Sequence, residues 1–163
     1  FIKKSGYEDC IFTPWHGGSR ICIVRNPVDR FISLYKDKIV KEERCGSPAP
    51  SFSDFCSNFS ELLRCHDSPM SNNKKLNYLE HHFKPQSSIV GNEEKYYNYI
   101  FDITEMSTKL KSLLEKIWQT RLPELHCRNA RDSGQITPSN NDISIIEKIY
   151  ASDFSLDWIS KRT

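Results

Sequence analysis

The residues best suited to chemistry lie in one segment, ICIVRNPVDRFISLY, which spans residues 21–35. Arg25 follows a short apolar run, and its planar, permanently charged guanidinium suits a phosphate or sulfate group. Ser33 can offer a neutral hydroxyl to the same anion, and Arg30 precedes it by one helical turn. This spacing predicts an anion-binding site. The plainer alternative is a surface ion pair for Arg25 and a packing role for Ser33.

Two predicted elements position these residues. Ile21–Val24 is a β-branched apolar run, typical of a strand buried on both faces of a parallel sheet. Pro27 suits the first turn of a helix, and apolar residues then recur at helical spacing to a predicted end near Cys45-Gly46. Ligands of open α/β sheets bind at the carboxyl ends of strands, where helix N-termini offer free N–H groups. We therefore expect the anion beside Arg25, at the start of this helix.

The rest of the chain alternates helical and strand-like patterns, which indicates an α/β layer fold. The predicted elements are a helix that begins at Ser51 or Ser53, a short helix over 74–82, a strand over Tyr97–Ile103, a long helix from Thr104 to about Gln119, a surface loop over 128–140 and a last helix capped by Asn141 or Asp142.

Length and charge limit the function. The chain has 163 residues and a mass of 19.0 kDa, which favours one domain with a real core. Its 23 basic and 21 acidic side chains nearly balance, for a net charge of +2. This balance excludes a broad nucleic-acid-binding surface but not a small anion site. No stretch approaches the roughly 20 apolar residues that span a bilayer.

The cysteines favour no metal centre. Their spacings contain no C-x-x-C pair, so neither a zinc ribbon nor a thioredoxin-like site is expected. Disulfides stay open, with Cys45, Cys56 and Cys65 the first candidates, whereas Cys22 lies in an apolar run and is expected to be a buried thiol. The six cysteines are Cys10, Cys22, Cys45, Cys56, Cys65 and Cys127.

Residues 24–35, V-R-N-P-V-D-R-F-I-S-L-Y, resemble the 3′-phosphate-binding motif of the Golgi-type carbohydrate sulfotransferases. This family includes the chondroitin, dermatan and human-natural-killer-epitope enzymes. Later segments resemble other family boxes in the same order, so that the resemblance covers about residues 20–158. These segments are Asp37-Lys38 with the cysteine-bearing stretch after it, H-F-K-P-Q at 82–86, the strand and helix start at 97–105 (where Asp102 and Thr104 depart from the pattern) and I-Y-A-S-D-F at 149–154.

The resemblance implies an α/β fold with a P-loop-like parallel sheet flanked by helices and a helix-rich C-terminal half. The family's first βα unit carries a lysine-containing loop for the donor's 5′-phosphosulfate. No segment before Arg25 matches that loop, and Lys3-Lys4-Ser5-Gly6 is only superficially similar. We therefore expect residues 1–163 to form a single sulfotransferase-like domain that is partial at its N-terminus and inactive alone if that loop is missing.

The resemblance also implies the reaction, which moves a sulfuryl group from 3′-phosphoadenosine-5′-phosphosulfate to a carbohydrate hydroxyl, without a metal. By the motif match, Arg25 and Ser33 hold the donor's 3′-phosphate. Arg30 is expected to pin the helix through an ion pair, with a direct contact to the donor as the alternative. His16 lies where a related heparan enzyme class carries its base, and is the first candidate for the general base. The candidate substrate-binding residues are His82, Lys84 and Gln86.

Two alternatives to this function stay open. One is another transferase of P-loop-like architecture, such as a protein-tyrosine sulfotransferase or a nucleotide kinase. The other is a non-catalytic, disulfide-stapled binding module of the same fold. The expected partners are a carbohydrate acceptor and the nucleotide donor, with no nucleic acid, and with a membrane only through a segment outside this chain. The resemblance implies the Golgi lumen for a membrane-anchored parent protein, or the cytoplasm if the protein is bacterial.

Overall fold

Residues 18–64, 78–124 and 134–161 are described by a computed structural model. They contain two strands, β1 (Ile21–Val24) and β2 (Tyr99–Asp102). The α-helices are α1 (Pro27–Leu34), α2 (Phe52–Ser57), α3 (Phe59–Arg64), α4 (Tyr78–Phe83), α5 (Ser87–Val90), α6 (Lys111–Trp118), α7 (Asn140–Ile149), α8 (Ala151–Phe154) and α9 (Asp157–Ser160). Short 3₁₀ turns cover Glu94–Tyr96 and Ile103–Glu105, and π-helical segments cover Tyr35–Lys41 and Met106–Leu110.

The two strands pair in parallel, with Ile21 opposite Tyr99 and Val24 opposite Asp102. Their carboxyl ends therefore meet at one edge of the sheet. Val24 is buried beside Trp158 of α9, whereas the Ile23 side chain is 39% exposed. The prediction of a mixed fold with a parallel sheet is confirmed, with two strands in the described ranges. The prediction that β1 is buried on both faces is wrong, because only the face that carries Cys22 and Val24 packs on the C-terminal helices.

The core that holds α1 is aromatic. Phe31 has no exposed surface, because α2, α3, α4 and the end of α7 surround it. Its ring lies 5.3–6.0 Å, centroid to centroid, from the rings of Phe52, Phe55, Phe59, Phe83 and Tyr150. Tilted and edge-to-face pairs of this kind stabilise beyond the area that they bury. This cluster fixes the helix that follows Arg25.

The first helix ends earlier than predicted. After Leu34 the helix widens into the π-helical segment Tyr35–Lys41, and Glu42 caps it with its N–H on the Asp37 carbonyl. Glu43 then takes a left-handed backbone conformation with φ of 49°, which turns the chain away from the helix axis. The polar residues 42–46 fit helical spacing in the sequence, but the turn at Glu43 removes them from the helix.

The observed caps also differ from those predicted for the later helices. Asp102, not Thr104, caps the segment after β2, with Glu105 completing a capping box. Ser139 caps α7, and Asp142 is the third residue of that box rather than the cap itself. In both boxes, Ser or Asp precedes the acidic residue by three positions, which is the spacing that the motif requires. Of the two caps predicted for α2, Ser51 or Ser53, the structure has Ser51.

The described cysteines are thiols. Cys22 and Cys56 are buried and Cys45 is half-buried, and none of the three forms a disulfide. The expectation of a buried thiol at Cys22 is confirmed. Cys45 and Cys56 both pack on the aromatic cluster, but they do not form a bridge with each other. Burial raises the pKa of the Cys56 thiol to about 12. Cys10, Cys65 and Cys127 lie outside the described residues.

We expect Phe31→Ala to lower the free energy of unfolding by about 3–5 kcal/mol, because it leaves a cavity where five rings meet. Urea denaturation followed by tryptophan fluorescence measures this change. Ile117→Ala is the matched control, since Ile117 is 44% exposed on α6 and should shift the value by less than about 1 kcal/mol. Equal losses in the two variants would contradict the central place of Phe31.

Candidate functional site

The candidate site lies at the carboxyl end of β1, where a side chain from another part of the fold takes the place of a neighbouring strand. The Gln86 side-chain carbonyl accepts a hydrogen bond from the Arg25 N–H at 3.0 Å. The Gln86 amide nitrogen donates to the Arg25 carbonyl at 2.7 Å. Gln86 is 8% exposed, so water competes little for these bonds. The Arg25 main chain is therefore held on both its polar groups by one residue that is 61 positions away.

A buried carboxylate fixes Gln86 in turn. Asp153, in α8, has no exposed surface and accepts hydrogen bonds from the N–H groups of Gln86 at 2.8 Å and Ser87 at 2.7 Å. Ser87 also contacts the Ser152 hydroxyl at 2.9 Å through its own hydroxyl. A buried charge without partners is costly, so these bonds strongly favour one position for residues 86 and 87. The segments 82–86 and 149–154 therefore meet at Arg25.

The start of α1 differs from the expected anion site. The Asn26 side chain accepts from the N–H of Val28 at 2.9 Å and of Asp29 at 3.4 Å. Pro27 has no N–H, and the Arg30 N–H donates to the Asn26 carbonyl. The N–H groups of the first turn are thus occupied, and the prediction that they are free for an anion is wrong. Any anion affinity here must come from side chains and from the residual helix dipole.

Arg25 and Ser33 are the side chains that remain for this purpose. Both are half-buried. Within the described ranges, no hydrogen bond or ion pair engages the Arg25 guanidinium or the Ser33 hydroxyl. Asp102, which pairs with Val24 at the same sheet edge, turns its carboxylate to the N–H and hydroxyl of Thr104 instead. A permanent charge thus lies beside the strand end, and no carboxylate among the described residues forms an ion pair with it.

Arg30 stabilises the fold, as the sequence suggested, but through different partners. One guanidinium nitrogen donates to the His82 main-chain carbonyl at 2.8 Å and another donates to the Tyr150 hydroxyl at 3.2 Å. The guanidinium also lies 5.5 Å from the centre of the Tyr150 ring. The expected ion pair is therefore replaced by a carbonyl, a phenol and a cation–π contact. These contacts join α1 to α4 and α7.

The three candidate substrate-binding residues have different surroundings. His82 is half-buried. The pKa of its imidazole is lowered mainly by burial and secondly by the nearby Lys38 ammonium. Lys84 is half-buried, and no ion pair holds its ammonium in the part of the chain that the structure describes. Gln86 uses its amide on Arg25. Contact of these residues with a substrate stays a prediction, and His16 lies outside the described residues.

Lys38 forms the most buried ion pairs near His82. Its ammonium lies 2.9 Å from an Asp37 carboxylate oxygen and 2.6 Å from one of Glu42, and the residue is only 9% exposed. Hydrogen bonds from Lys38 lower the pKa of both carboxyl groups. Lys38 therefore forms ion pairs with the acid beside it and with the acid one helical turn later.

Sequence reasoning missed two residues of this site. Asn26 directly precedes Pro27, and an Asn-Pro pair at a helix start is a signal for a capping side chain. Asp153 is the one charged residue of the box I-Y-A-S-D-F, which is a weak signal for a buried charge with main-chain partners. Its actual partners, Gln86 and Ser87, lie more than 60 residues away and leave no local pattern.

Comparison of the sequence with known protein families identifies the family of this chain. Residues 16–156 match the sulfotransferase family as a whole, and they include both strands and every contact described above for the site. The chain belongs to the sulfotransferase family. Comparison with curated proteins and with solved structures gave no match. Sulfotransfer is therefore the activity that the family supports, with a sulfate donor and an acceptor as its substrates.

Two further observations concern the described residues alone. No helix among them is long and apolar enough to cross a bilayer. No group of three or more histidine, cysteine, aspartate or glutamate side chains among them is arranged to hold a metal ion.

The buried Tyr150 hydroxyl predicts a loss of stability at alkaline pH. Burial raises its pKa from the ordinary value near 10 to about 12, even though Arg30 acts in the opposite direction. The unfolded chain releases this proton first, so the free energy of unfolding falls as pH rises from about 10 to 12, by roughly 2 kcal/mol. Cys56 and Tyr97 add to this loss, because burial raises the pKa of each to about 12 as well.

Tyr150→Phe tests this contribution. We expect the variant to lose about 1 kcal/mol at pH 8, where it lacks the hydrogen bond to Arg30, and to show a shallower decline between pH 10 and 12. Urea denaturation across that pH range measures both effects. A decline as steep as that of the wild type would show that Tyr150 does not titrate in this window.

Proposed function

We propose that this protein transfers a sulfuryl group from 3′-phosphoadenosine-5′-phosphosulfate to a hydroxyl of a carbohydrate acceptor, a glycan or glycosaminoglycan. One observation carries the proposal: Arg25 follows β1 and Ser33 lies in α1, both in the segment that resembles a 3′-phosphate-binding motif, and no hydrogen bond or ion pair within the described residues engages either side chain. The family match over residues 16–156 supports the reaction type. The carbohydrate acceptor rests on the resemblance of the individual boxes.

The chemistry of Arg25 and Ser33 fits the proposed ligand. A guanidinium offers parallel N–H donors to two phosphate oxygens, and a serine hydroxyl adds a short neutral hydrogen bond. With the N–H groups of the α1 start occupied by Asn26, these side chains become the chief source of affinity for the 3′-phosphate. In this assignment Arg30 acts through the fold, because its donors are bonded to His82 and Tyr150.

A remote phosphate can accelerate sulfuryl transfer without touching the reacting sulfur. The reaction is an in-line displacement in which the acceptor oxygen attacks sulfur and the bond to the 5′-phosphate oxygen breaks. Catalysis of this kind depends mostly on alignment and charge stabilisation. Binding energy at Arg25 and Ser33 restrains the donor at its far end and so aligns the sulfate with the acceptor.

The acceptor and the cellular location are further parts of this proposal. Lys84 lies two residues from Gln86, and its ammonium is not paired in the described ranges, which suits an anionic sugar. We propose His82 and Lys84 as acceptor contacts. We propose the Golgi lumen as the location, on the strength of the family resemblance.

Arg25→Ala tests the donor site. We expect the affinity of the full-length protein for 3′-phosphoadenosine-5′-phosphate to fall about 10- to 100-fold, because a charged hydrogen-bonding partner of the 3′-phosphate is lost. Ser33→Ala should weaken binding by less, about 3- to 10-fold. Affinity for adenosine 5′-phosphate, which has no 3′-phosphate, should not change. Isothermal titration calorimetry measures all three.

Arg44→Ala is the matched control for Arg25→Ala. It removes the same charge from an exposed side chain that pairs with Glu42, away from the strand end. Both nucleotides should bind this variant as they bind the wild type. The donor site is contradicted if Arg25→Ala binds 3′-phosphoadenosine-5′-phosphate as tightly as Arg44→Ala does.

The general base is tested at His16. If its imidazole takes the acceptor proton, turnover must fall below the ordinary histidine pKa of about 6.5, where the ring is protonated. His16→Ala should lower kcat and remove this acid limb from the pH profile. His66→Ala, which lies in a polar segment, is the control. An unchanged acid limb in His16→Ala would exclude His16 as the base.

A further inference from the structure

We propose that Gln86 is the positioning residue of the 3′-phosphate site. Its side-chain amide fixes the main chain of Arg25 and thereby the direction of the guanidinium, while the carboxylate of Asp153 fixes Gln86 from behind. The inference rests on the proposed function, because it takes the 3′-phosphate as the partner of Arg25. It assigns Gln86 a task in donor binding rather than in contact with the acceptor.

The side chain of Gln86 contacts the Arg25 main chain as a peptide group of a neighbouring strand would. A primary amide offers one acceptor and one donor, as a peptide group does, and Gln86 uses both on the N–H and the carbonyl of Arg25 at 3.0 and 2.7 Å. Arg25 lies one residue beyond β1. Within the described residues, Gln86 supplies the partners of both of its main-chain polar groups. The amide therefore extends the order of the strand by one residue.

Gln86 is supported in turn by a buried carboxylate. Its own N–H and that of Ser87 donate to the two carboxylate oxygens of Asp153, which has no exposed surface. A shift of the segment by one ångström would stretch two bonds to a buried charge. Such bonds are worth more than neutral ones, so the main chain at residue 86 is a firm base for the side chain.

The fixed main chain of Arg25 favours phosphate binding by its side chain. A half-buried arginine has several rotatable bonds, and phosphate binding requires that its fork points in one direction. A fixed main chain removes the backbone part of that freedom before the ligand arrives. Loss of the Gln86 amide should therefore weaken the contact with the 3′-phosphate and leave the rest of the nucleotide site unchanged.

Gln86→Glu and Gln86→Met test the inference in the full-length protein. At pH 8 the first variant presents a carboxylate oxygen to the Arg25 carbonyl, and the second keeps the side-chain volume but has no hydrogen-bonding group. We expect each to weaken binding of 3′-phosphoadenosine-5′-phosphate by about tenfold, with binding of adenosine 5′-phosphate unchanged. A merely structural role would lower both affinities or neither.

Ser88→Ala is the matched control. Ser88 lies in α5, which begins directly after Gln86; it is exposed and donates one hydrogen bond to the Pro85 carbonyl at 2.7 Å. It should bind both nucleotides as the wild type does. Thermal unfolding of each variant shows that binding is measured on folded protein.

A double substitution separates the two proposals. In the Arg25→Ala background, Gln86→Met should cost no further affinity, because the group that Gln86 positions is gone. If Arg25→Ala weakens binding and the Gln86 variants do not, the positioning role is overturned and the donor site stands. If Arg25→Ala has no effect on 3′-phosphoadenosine-5′-phosphate, the proposed donor site fails and the positioning role fails with it.

Hydrogen exchange on the wild-type protein provides a test that needs no variant. The Arg25 N–H donates to the side-chain carbonyl of Gln86, so a ligand that engages the guanidinium should make this bond open less often. Saturating 3′-phosphoadenosine-5′-phosphate should slow exchange of that amide about tenfold more than adenosine 5′-phosphate does. Equal exchange with the two nucleotides would overturn the inference.

Discussion

The pairing of the Gln86 amide with the Arg25 main chain is the constraint on which the candidate site depends. In the described residues the sheet has two strands, and a pair of strands alone gives little stability to the loop that follows it. Two hydrogen bonds at 3.0 and 2.7 Å continue the order of β1 past its last residue. Asp153 stabilises this arrangement, because its buried carboxylate accepts hydrogen bonds from the N–H groups of residues 86 and 87. Displacement of these two residues would leave the charge without those bonds.

The capped start of α1 changes the origin of anion affinity. Helix N-termini commonly bind phosphate through free N–H groups, but here Asn26 occupies those of Val28 and Asp29. The Asn26 cap stabilises the helix, so in the proposed donor site recognition falls to the side chains of Arg25 and Ser33. Recognition by side chains is more dependent on their orientation than recognition by a rigid main chain. A site of this design therefore needs support behind the arginine, which Gln86 supplies.

Local patterns in the sequence predicted β1, the start of α1 and the cap of α2, because strand, proline and capping signals act over a few residues. The end of α1 was not predictable in this way. The helical spacing in the sequence continues past Glu43, whereas the left-handed backbone at Glu43 turns the chain away from the helix. The contacts of Gln86 and Asp153 span more than 60 residues, and no local signal announces them. The family resemblance placed their segments in order but did not say that they touch.

The contacts explain why these separate boxes occur together. The box at 82–86 supplies the His82 carbonyl to Arg30 and the Gln86 amide to Arg25, and the box at 149–154 supplies Tyr150 to Arg30 and Asp153 to Gln86. The side chain of Arg30 thus contacts both later boxes directly. The main chain of Arg25 contacts only Gln86, and the 149–154 box acts on it through the bond from Gln86 to Asp153. Sulfuryl transfer depends on alignment, and small displacements of a bound donor are costly. The three boxes are therefore joined by contacts that fix the position of Arg25. A substitution that breaks these contacts in any of the boxes should alter the position of Arg25.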